Sequence, residues 1–286
     1  MASASHGARA TAEEPSAAAA GTPAEADFER RFGGLARLYG AAGAARIREA
    51  SVAVVGIGGV GSWAAEALAR SGVGRLVLVD MDHVAESNLN RQIHALGDTV
   101  GQAKIDAMAD RIRRIHPDCE VVGVDDFVTE DNWPALLPCP VDGVIDACDA
   151  IRAKSRMAAW ARAPEQRGFP FIVAGAAGGK TQAHLVDIAD LASVTHDPLL
   201  AQVRYRLRKF HGAPKPAAGK AGRPIGIAGV YSREAVAAPV DAACGTASAA
   251  ADGSLNCHGY GSVVSVTATF GMVAAGWMLN RLALRP

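Results

Sequence analysis

Cysteine is scarce in this sequence and never closely paired: five residues, at positions 119, 139, 148, 244 and 257, with no two in C-x-x-C spacing. An odd count argues against a disulfide framework, and the missing pairs argue against a four-thiolate zinc site. Reduced thiols of this kind fit a cytoplasmic protein. Net charge is missing as well. The 29 Lys and Arg balance 29 Asp and Glu, so any nucleic-acid surface has to be a local patch. Residues 1–27 are rich in Ala, with Ser, Thr, Gly, Pro and Glu, and lack the apolar run of a secretory signal. They read as a disordered tail. Long hydrophobic runs are absent but for one stretch. Residues 263–279 carry no charge, yet number only 17 and include Ser265, Thr267, Thr269, Gly271 and Gly276. A spanning helix needs about 20 predominantly apolar residues. A core or dimer-interface helix is therefore expected, with peripheral membrane contact as the alternative.

Half of the residues are hydrophobic, and 286 residues can hold one large domain or two small ones, so a globular enzyme is expected. Residues 28–49, rich in Ala, Arg and Leu, read as helix that Gly33-Gly34, Gly40 and Gly43 break or bend. Residues 51–55 form a short buried strand, 63–70 a helix and 75–80 a second strand ending in an acid. That order is a βαβ unit with a right-handed crossover and a parallel sheet. A helix at 102–115 stops near Pro117, strands follow at 121–124 and 141–146, then a helix at 151–162 and a strand at 169–174. The expected fold class is α/β, a Rossmann-like, doubly wound, largely parallel sheet. Past residue 181 the pattern changes: strands at 183–188 and 225–230 flank a Pro/Gly/Lys-rich stretch, and an apolar helix over 263–282 closes the chain. Residues 28–286 are expected to act as one unit. Its nucleotide-binding half covers about 28–180; its substrate-side half, about 181–286, extends the sheet and carries a mobile basic loop at 211–224.

Between the first strand and its helix runs Gly56-Ile57-Gly58-Gly59-Val60-Gly61, a G-x-G-x-x-G pattern with Gly59 as a fourth glycine. Without Cβ atoms the turn can be tight and the backbone can approach phosphate oxygens. The following helix points its free N–H groups at that anion. Asp80, 19 residues past Gly61 at a strand end, is placed for ribose hydroxyls. The loop alone leaves NAD and ATP both open.

The residues downstream of Asp80 favour ATP. Asn88-Leu89-Asn90-Arg91-Gln92 and then Gly101-Gln102-Ala103-Lys104 put cations just after the βαβ unit. Breaking a triphosphate concentrates negative charge and calls for Arg, Lys and a metal ion. Asn88 and Arg91, three apart, would share one helical face. Asp146-Ala147-Cys148-Asp149 ends the fourth strand, where open α/β sheets bind ligands, so its carboxylates could hold Mg2+. Asp149 could instead cap the helix that starts near Ile151, or do both.

Together, G-x-G-G-x-G, the strand-end Asp, S-N-x-x-R-Q, V-G-x-x-K and D-x-x-D resemble the ThiF/MoeB/HesA family of ubiquitin-activating-type adenylating enzymes, over about residues 31–178. Within it the chain most resembles the branch acting on N6-threonylcarbamoyladenosine in a tRNA anticodon loop. Arg31-Phe32-Gly33-Gly34, Arg37-Leu38-Tyr39-Gly40, Asn90-Arg91-Gln92-Ile93-His94-Ala95-Leu96, Asp125-Asp126-Phe127-Val128, Asp197-Pro198-Leu199 and Val266-Thr267-Ala268-Thr269-Phe270-Gly271 carry that likeness. The resemblance implies ATP on Gly56, Gly58, Gly59, Gly61, Asp80 and Gln92, with Asn88, Arg91 and Lys104 at the phosphates. It implies Mg2+ on Asp149, with Arg91, Lys104 and Asp149 as the catalytic set, and a homodimer in which Arg37 reaches the neighbour's ATP. The implied reaction is adenylation of the threonyl carboxylate, then ring closure with net loss of water. The missing C-x-x-C pairs depart from the zinc-bearing sulfur-carrier activators.

A tRNA needs a landing surface. Residues 198–233 hold no Asp or Glu but eight cations, among them Arg204, Arg206, Arg208 and Lys209, interleaved with Tyr205, Phe210 and His211. A solvated helix and loop would look the same. The alternatives are an activator of a ubiquitin-like sulfur carrier, an NAD-dependent dehydrogenase, and an adenylate-binding scaffold for a sulfur-transfer partner. No role emerges for Cys244 or Cys257.

Overall fold

The apolar run Ser-Val-Ala-Val-Val builds the centre of the sheet. In the computed structural model, which describes residues 27–216, 223–237 and 260–284, it forms β1 (Ser51–Val55), buried throughout. Val52 and Val54 enter one hydrophobic cluster, Ala53 and Val55 the cluster on the other face. A parallel strand covered on both faces reads as continuously apolar for this reason. The tail over 1–26 lies outside the described residues.

Ahead of β1 stand α1 (Phe28–Phe32) and α2 (Gly34–Glu49), parted at Gly33, with α2 kinked at Gly40, whose φ is 73°. Gly43 neither breaks nor bends it; it lies buried beside Ala283. After β1 come α3 (Gly61–Arg70), β2 (Arg75–Val79), α4 (Lys104–Ile115), β3 (Glu120–Val124), β4 (Gly143–Asp146), α5 (Ile151–Ala161) and β5 (Phe171–Ala174). Then follow β6 (Val186–Asp190), α6 (Pro198–Phe210), β7 (Ala228–Ser232) and α7 (Val264–Ala283). The seven strands make one sheet in the order β3-β2-β1-β4-β5-β7-β6, parallel except for β6, which runs antiparallel to β7. This is the doubly wound arrangement expected, with the C-terminal strands extending it.

Two elements differ from the sequence reading. The last two strands start about three residues later than periodicity suggests, because residues 183–185 form a 3-10 turn and pairing is set from Val186↔Ser232 to Asp190↔Ala228. Residues 198–210 are a well-formed helix. Asp197 at the N-cap accepts the Leu200 N–H at 2.9 Å, and Pro198 opens the first turn.

The apolar C-terminal helix is a core element. Val266, Phe270, Ala274, Ala275 and Met278 are buried in the cluster that also holds Val52, Val54 and Leu68. Gly271 lets it touch α3, since a Cβ there would press on the backbone at Val60 and Ala64. Among the described residues no helix is long and apolar enough to cross a membrane.

Candidate nucleotide site

In this strand order the chain reverses its winding between β1 and β4, and such a switch point opens a crevice at the strands' carboxyl ends. The loops after β1 and β4 meet there. Gly56 has φ of 86°, and a Cβ on it would lie 2.8 Å from the Cys148 nitrogen and 2.9 Å from the Ala147 carbonyl carbon. At Gly61 the Gly56 carbonyl oxygen fills the space of the missing Cβ. The protein's own packing therefore demands these two glycines. Gly59 is seated against Thr267 and Arg91, at 3.3 and 3.4 Å from its would-be Cβ. Gly58 differs: a Cβ there would meet only the Gln92 Nε2 at 4.0 Å. Among the described residues nothing demands a glycine at 58, so the backbone there is open to close approach.

Asp80 is almost fully buried and anchors the loop. Its Oδ2 accepts the Ile57 N–H at 2.6 Å, and its Oδ1 accepts the Asp82 N–H at 2.9 Å. Burial pushes its carboxyl above the usual range, against the pull of the Lys104 ammonium and these two N–H donors. Lys104, at the start of α4, lies 3.8 Å from Asp80 Oδ1 and 2.6 Å from Asp82 Oδ2. Asp82 is a partner that sequence reasoning missed, although it stands two residues past the strand-end acid.

The segment after Asp80 is a 3-10 turn over Glu86–Asn88 followed by further turns, so Asn88 and Arg91 do not share an α-helical face. Asn88 is buried, and its Oδ1 accepts the Ala85 N–H at 3.1 Å. The Arg91 guanidinium donates to Ser87 O at 2.6 Å and Asn90 Oδ1 at 3.0 Å. Two ties fix this turn to its surroundings: Trp63 Nε1–H donates to Arg91 O at 3.0 Å, and Asn90 Nδ2–H to Ser262 O at 3.0 Å. Gln92 and His94 are buried, and Gln92 Oε1 and both His94 ring nitrogens lack partners among the described residues. Burial, with Lys104 and Arg111 nearby, pushes His94 down to about 4, so its ring is neutral at pH 7. Sequence reasoning assigned His94 no role. The indole tie predicts that Trp63→Phe lowers kcat/KM for ATP about fivefold, the ~1 kcal/mol of one hydrogen bond. In an Arg91→Ala background the further loss should be smaller, because part of the effect passes through the Arg91 side chain.

The two acids after β4 divide. Asp146 is wholly buried, ion-paired with Lys154 at 2.9 Å and accepting from the Cys148 N–H and Sγ–H at 3.2 and 3.1 Å. It is a strut under the loop and is not available to a metal, contrary to the expectation that both acids face the crevice. Asp149 is exposed. It does not cap α5, whose N-cap is Ala150 with no side-chain bond. Among the described residues no three His, Cys, Asp or Glu cluster as metal ligands.

Arg37 is exposed on α2 beside the exposed Leu38. On α6 the expected RNA contacts separate by partner. Arg204 donates to Leu191 O and Val194 O at 3.0 and 2.7 Å, Arg206 pairs with Glu130, and Arg208 donates to Pro214 O at 3.0 Å. Each of these three arginines spends at least one donor within the chain, which charge composition alone does not reveal. Lys209 remains in solvent near the exposed rings of Tyr205 and Phe210, at 5.4 and 5.0 Å from their centroids. Lys220, Cys244 and Cys257 lie outside the described residues.

A doubly wound sheet with a glycine cradle, a strand-end Asp and Arg and Lys at the switch point defines a nucleotide-binding α/β protein. The sequence pattern of the ThiF family matches residues 31–284, and the chain belongs to that family. It is 44% identical over 259 residues to the tRNA threonylcarbamoyladenosine dehydratase of Escherichia coli, spanning 89% of this chain and 94% of that one. The protein of the same name in Haemophilus influenzae is 39% identical over 261 residues, 90% of this chain and 94% of the relative. The solved structure of the E. coli dehydratase TcdA in complex with ATP matches with a TM-score of 0.76 at 42% identity, over 89% of this chain and 94% of that one.

Proposed function

We propose that the chain catalyses the ATP-dependent cyclisation of N6-threonylcarbamoyladenosine in tRNA, a dehydration that passes through an acyl-adenylate. The observation that carries the nucleotide half is Gly58, a glycine that nothing among the described residues requires, facing Gln92 in a loop whose neighbour Gly59 lies against Arg91 and whose anchor Asp80 lies beside Lys104. The substrate half is supported by likeness to the E. coli dehydratase along 94% of that protein's length, and by the lack of C-x-x-C pairs.

In this reading Gly56, Gly58, Gly59 and Gly61 cradle the phosphates, and Asp80 keeps carboxylate lone pairs for the ribose. Asn88, Arg91, Gln92 and Lys104 line the phosphate end, with Arg91 and Lys104 neutralising pyrophosphate as it leaves. Lys104 exchanges part of its pairing with Asp82 for phosphate oxygen. Asp149 suits Mg2+, which takes one or two protein oxygens and completes its shell with phosphate and water. The threonyl carboxylate oxygen attacks the α-phosphorus and pyrophosphate departs. The carbamoyl group of the same nucleoside then attacks the activated carbonyl, gives up its proton and expels AMP with the carboxylate oxygen. Both reacting groups sit on one nucleoside, so proximity supplies much of the rate. Arg37 serves the ATP of the neighbour in a homodimer, the two halves of the chain act as one adenylating unit, and the protein works in the cytoplasm. Lys209, Tyr205 and Phe210 meet the tRNA.

Incubation with ATP, Mg2+ and modified tRNA, followed by nucleoside mass measurement, tests this. The expected result is loss of one water from threonylcarbamoyladenosine, slowed by about 10²–10³ in Arg91→Ala and Lys104→Ala, the usual cost of one transition-state charge partner. ATP turnover without a mass change in the nucleoside would instead point to activation of a sulfur-carrier protein.

A further inference from the structure

The crevice lies at the carboxyl ends of the strands. At the opposite end, where β5 and β7 begin, is a cavity of about 700 Å³. That volume is in the range of small-molecule sites, roughly 300–1,000 Å³. Its walls include Arg162 just past α5, Arg167 on the loop before β5, and Trp277 and Arg281 on the last turns of α7. The acid in its wall, Asp190, is already spent: its carboxylate accepts the N–H groups of Ala192, Ile225 and Gly226 at 2.7–2.9 Å. Its charge remains, but three arginines outweigh one aspartate, so the cavity is net cationic. Arg281 lies 5.1 Å from the Trp277 ring centroid, and Arg167 is exposed without a partner among the described residues. Arg162 is fixed by donation to Ile225 O at 2.8 Å and His211 O at 3.2 Å. His211 ends α6, so the cavity adjoins the basic helix that carries Lys209, Tyr205 and Phe210.

The exposed Arg281 guanidinium over the partly buried Trp277 ring, with the Arg167 guanidinium in the same wall, is the chemistry that receives a base together with its phosphate. We propose that this cavity is a second nucleotide site, taking its ligand from the RNA chain as that chain follows α6 past His211. The choice of RNA rests on the function proposed above; the nucleotide chemistry does not. A free mononucleotide presents the same groups, and the test separates the two sources.

The full-length protein is compared with Trp277→Phe and with the double variant Arg167→Ala/Arg281→Ala, which changes two exposed side chains and keeps the fold, as thermal unfolding will verify. Labelled tRNA is titrated by anisotropy at several salt concentrations. AMP is titrated by intrinsic fluorescence, the Trp277 signal being the difference between wild type and Trp277→Phe. Loss of both arginines should weaken tRNA binding about tenfold and reduce the salt slope by one to two, roughly one per phosphate contact. ATP binding at the crevice should not change. A Trp277 response to AMP, lost in the double variant while tRNA binding is unaltered, supports the site with a free nucleotide as its ligand. A wild type that binds no tRNA yet shows that response keeps the site and removes the tRNA reading. Unchanged tRNA binding in the double variant without any Trp277 response to AMP overturns the proposal and leaves the function untouched.

Discussion

Lys154→Met should lower the free energy of unfolding by about 3–5 kcal/mol, the usual cost of removing one partner from a buried ion pair. Lys154 and Asp146 have no solvent exposure, and the ammonium lies 2.9 Å from Oδ1. The other carboxylate oxygen, Oδ2, has no partner among the described residues, so the ammonium carries most of the compensation. Without it a carboxylate sits charged in the core, and its escape is to take up a proton. Burial already pushes Asp146 up, with Lys154 first among the groups that oppose it. In the variant the folded-state pKa rises further above the unfolded one, so the folded protein binds more protons. The deficit should then be largest at neutral pH and shrink as pH falls toward that of an unfolded carboxylate. Urea denaturation at pH 7 and pH 5 measures it. Adding Asp146→Asn should recover most of the loss at pH 7. A loss below about 1 kcal/mol would mean that water or relaxation replaces the ammonium, and the strut is not one. The consequence reaches the site, because the chain after Asp146 packs against Gly56.

Legibility in the sequence tracked the range of the interactions involved. The βαβ unit was readable because it is local: the run 51–55, the glycine loop and the acid at 80 lie within 30 residues. Asp80 is accordingly tied to the glycine loop through the Ile57 N–H and lies 3.8 Å from Lys104. What was not readable depends on partners far along the chain. Arg206 looks like an open cation until Glu130 is brought beside it, 76 residues away in sequence. Arg204 is spent on two backbone carbonyls that exist only because β6 turns there. Charge composition reports how many cations a segment has, not which are already paired. The helix at 198–210 was within reach, since Asp197-Pro198 is an N-cap followed by a first-turn proline. The shift in β6 and β7 was not, because antiparallel pairing between two strands fixes it.

The four glycines of the loop, identical to a pattern search, should behave as two kinds. Gly58→Ala should fold with nearly wild-type stability and lose ATP. Its backbone is not among those with positive φ, and among the described residues its missing Cβ faces only the Gln92 amide at 4.0 Å. Ala there reduces the freedom of the unfolded chain and costs little in the folded one. A phosphate lying on the backbone at 58 would, however, be lifted by the methyl group, and a displacement of about 1 Å costs on the order of 10²-fold in rate. ATP binding by calorimetry, and kcat/KM for nucleoside cyclisation, should fall together. Gly61→Ala should do the reverse: its Cβ would strike the Gly56 carbonyl, so the loop must deform before any ligand arrives, and the melting temperature falls first. Gly56→Ala joins it, with a positive φ and the Cys148 nitrogen 2.8 Å from the new Cβ. If Gly58→Ala kept full ATP affinity, the phosphates would have to lie elsewhere along the crevice, toward Arg91 and Lys104. The glycine at 58 would then be as incidental as its open surroundings make it look in the protein alone.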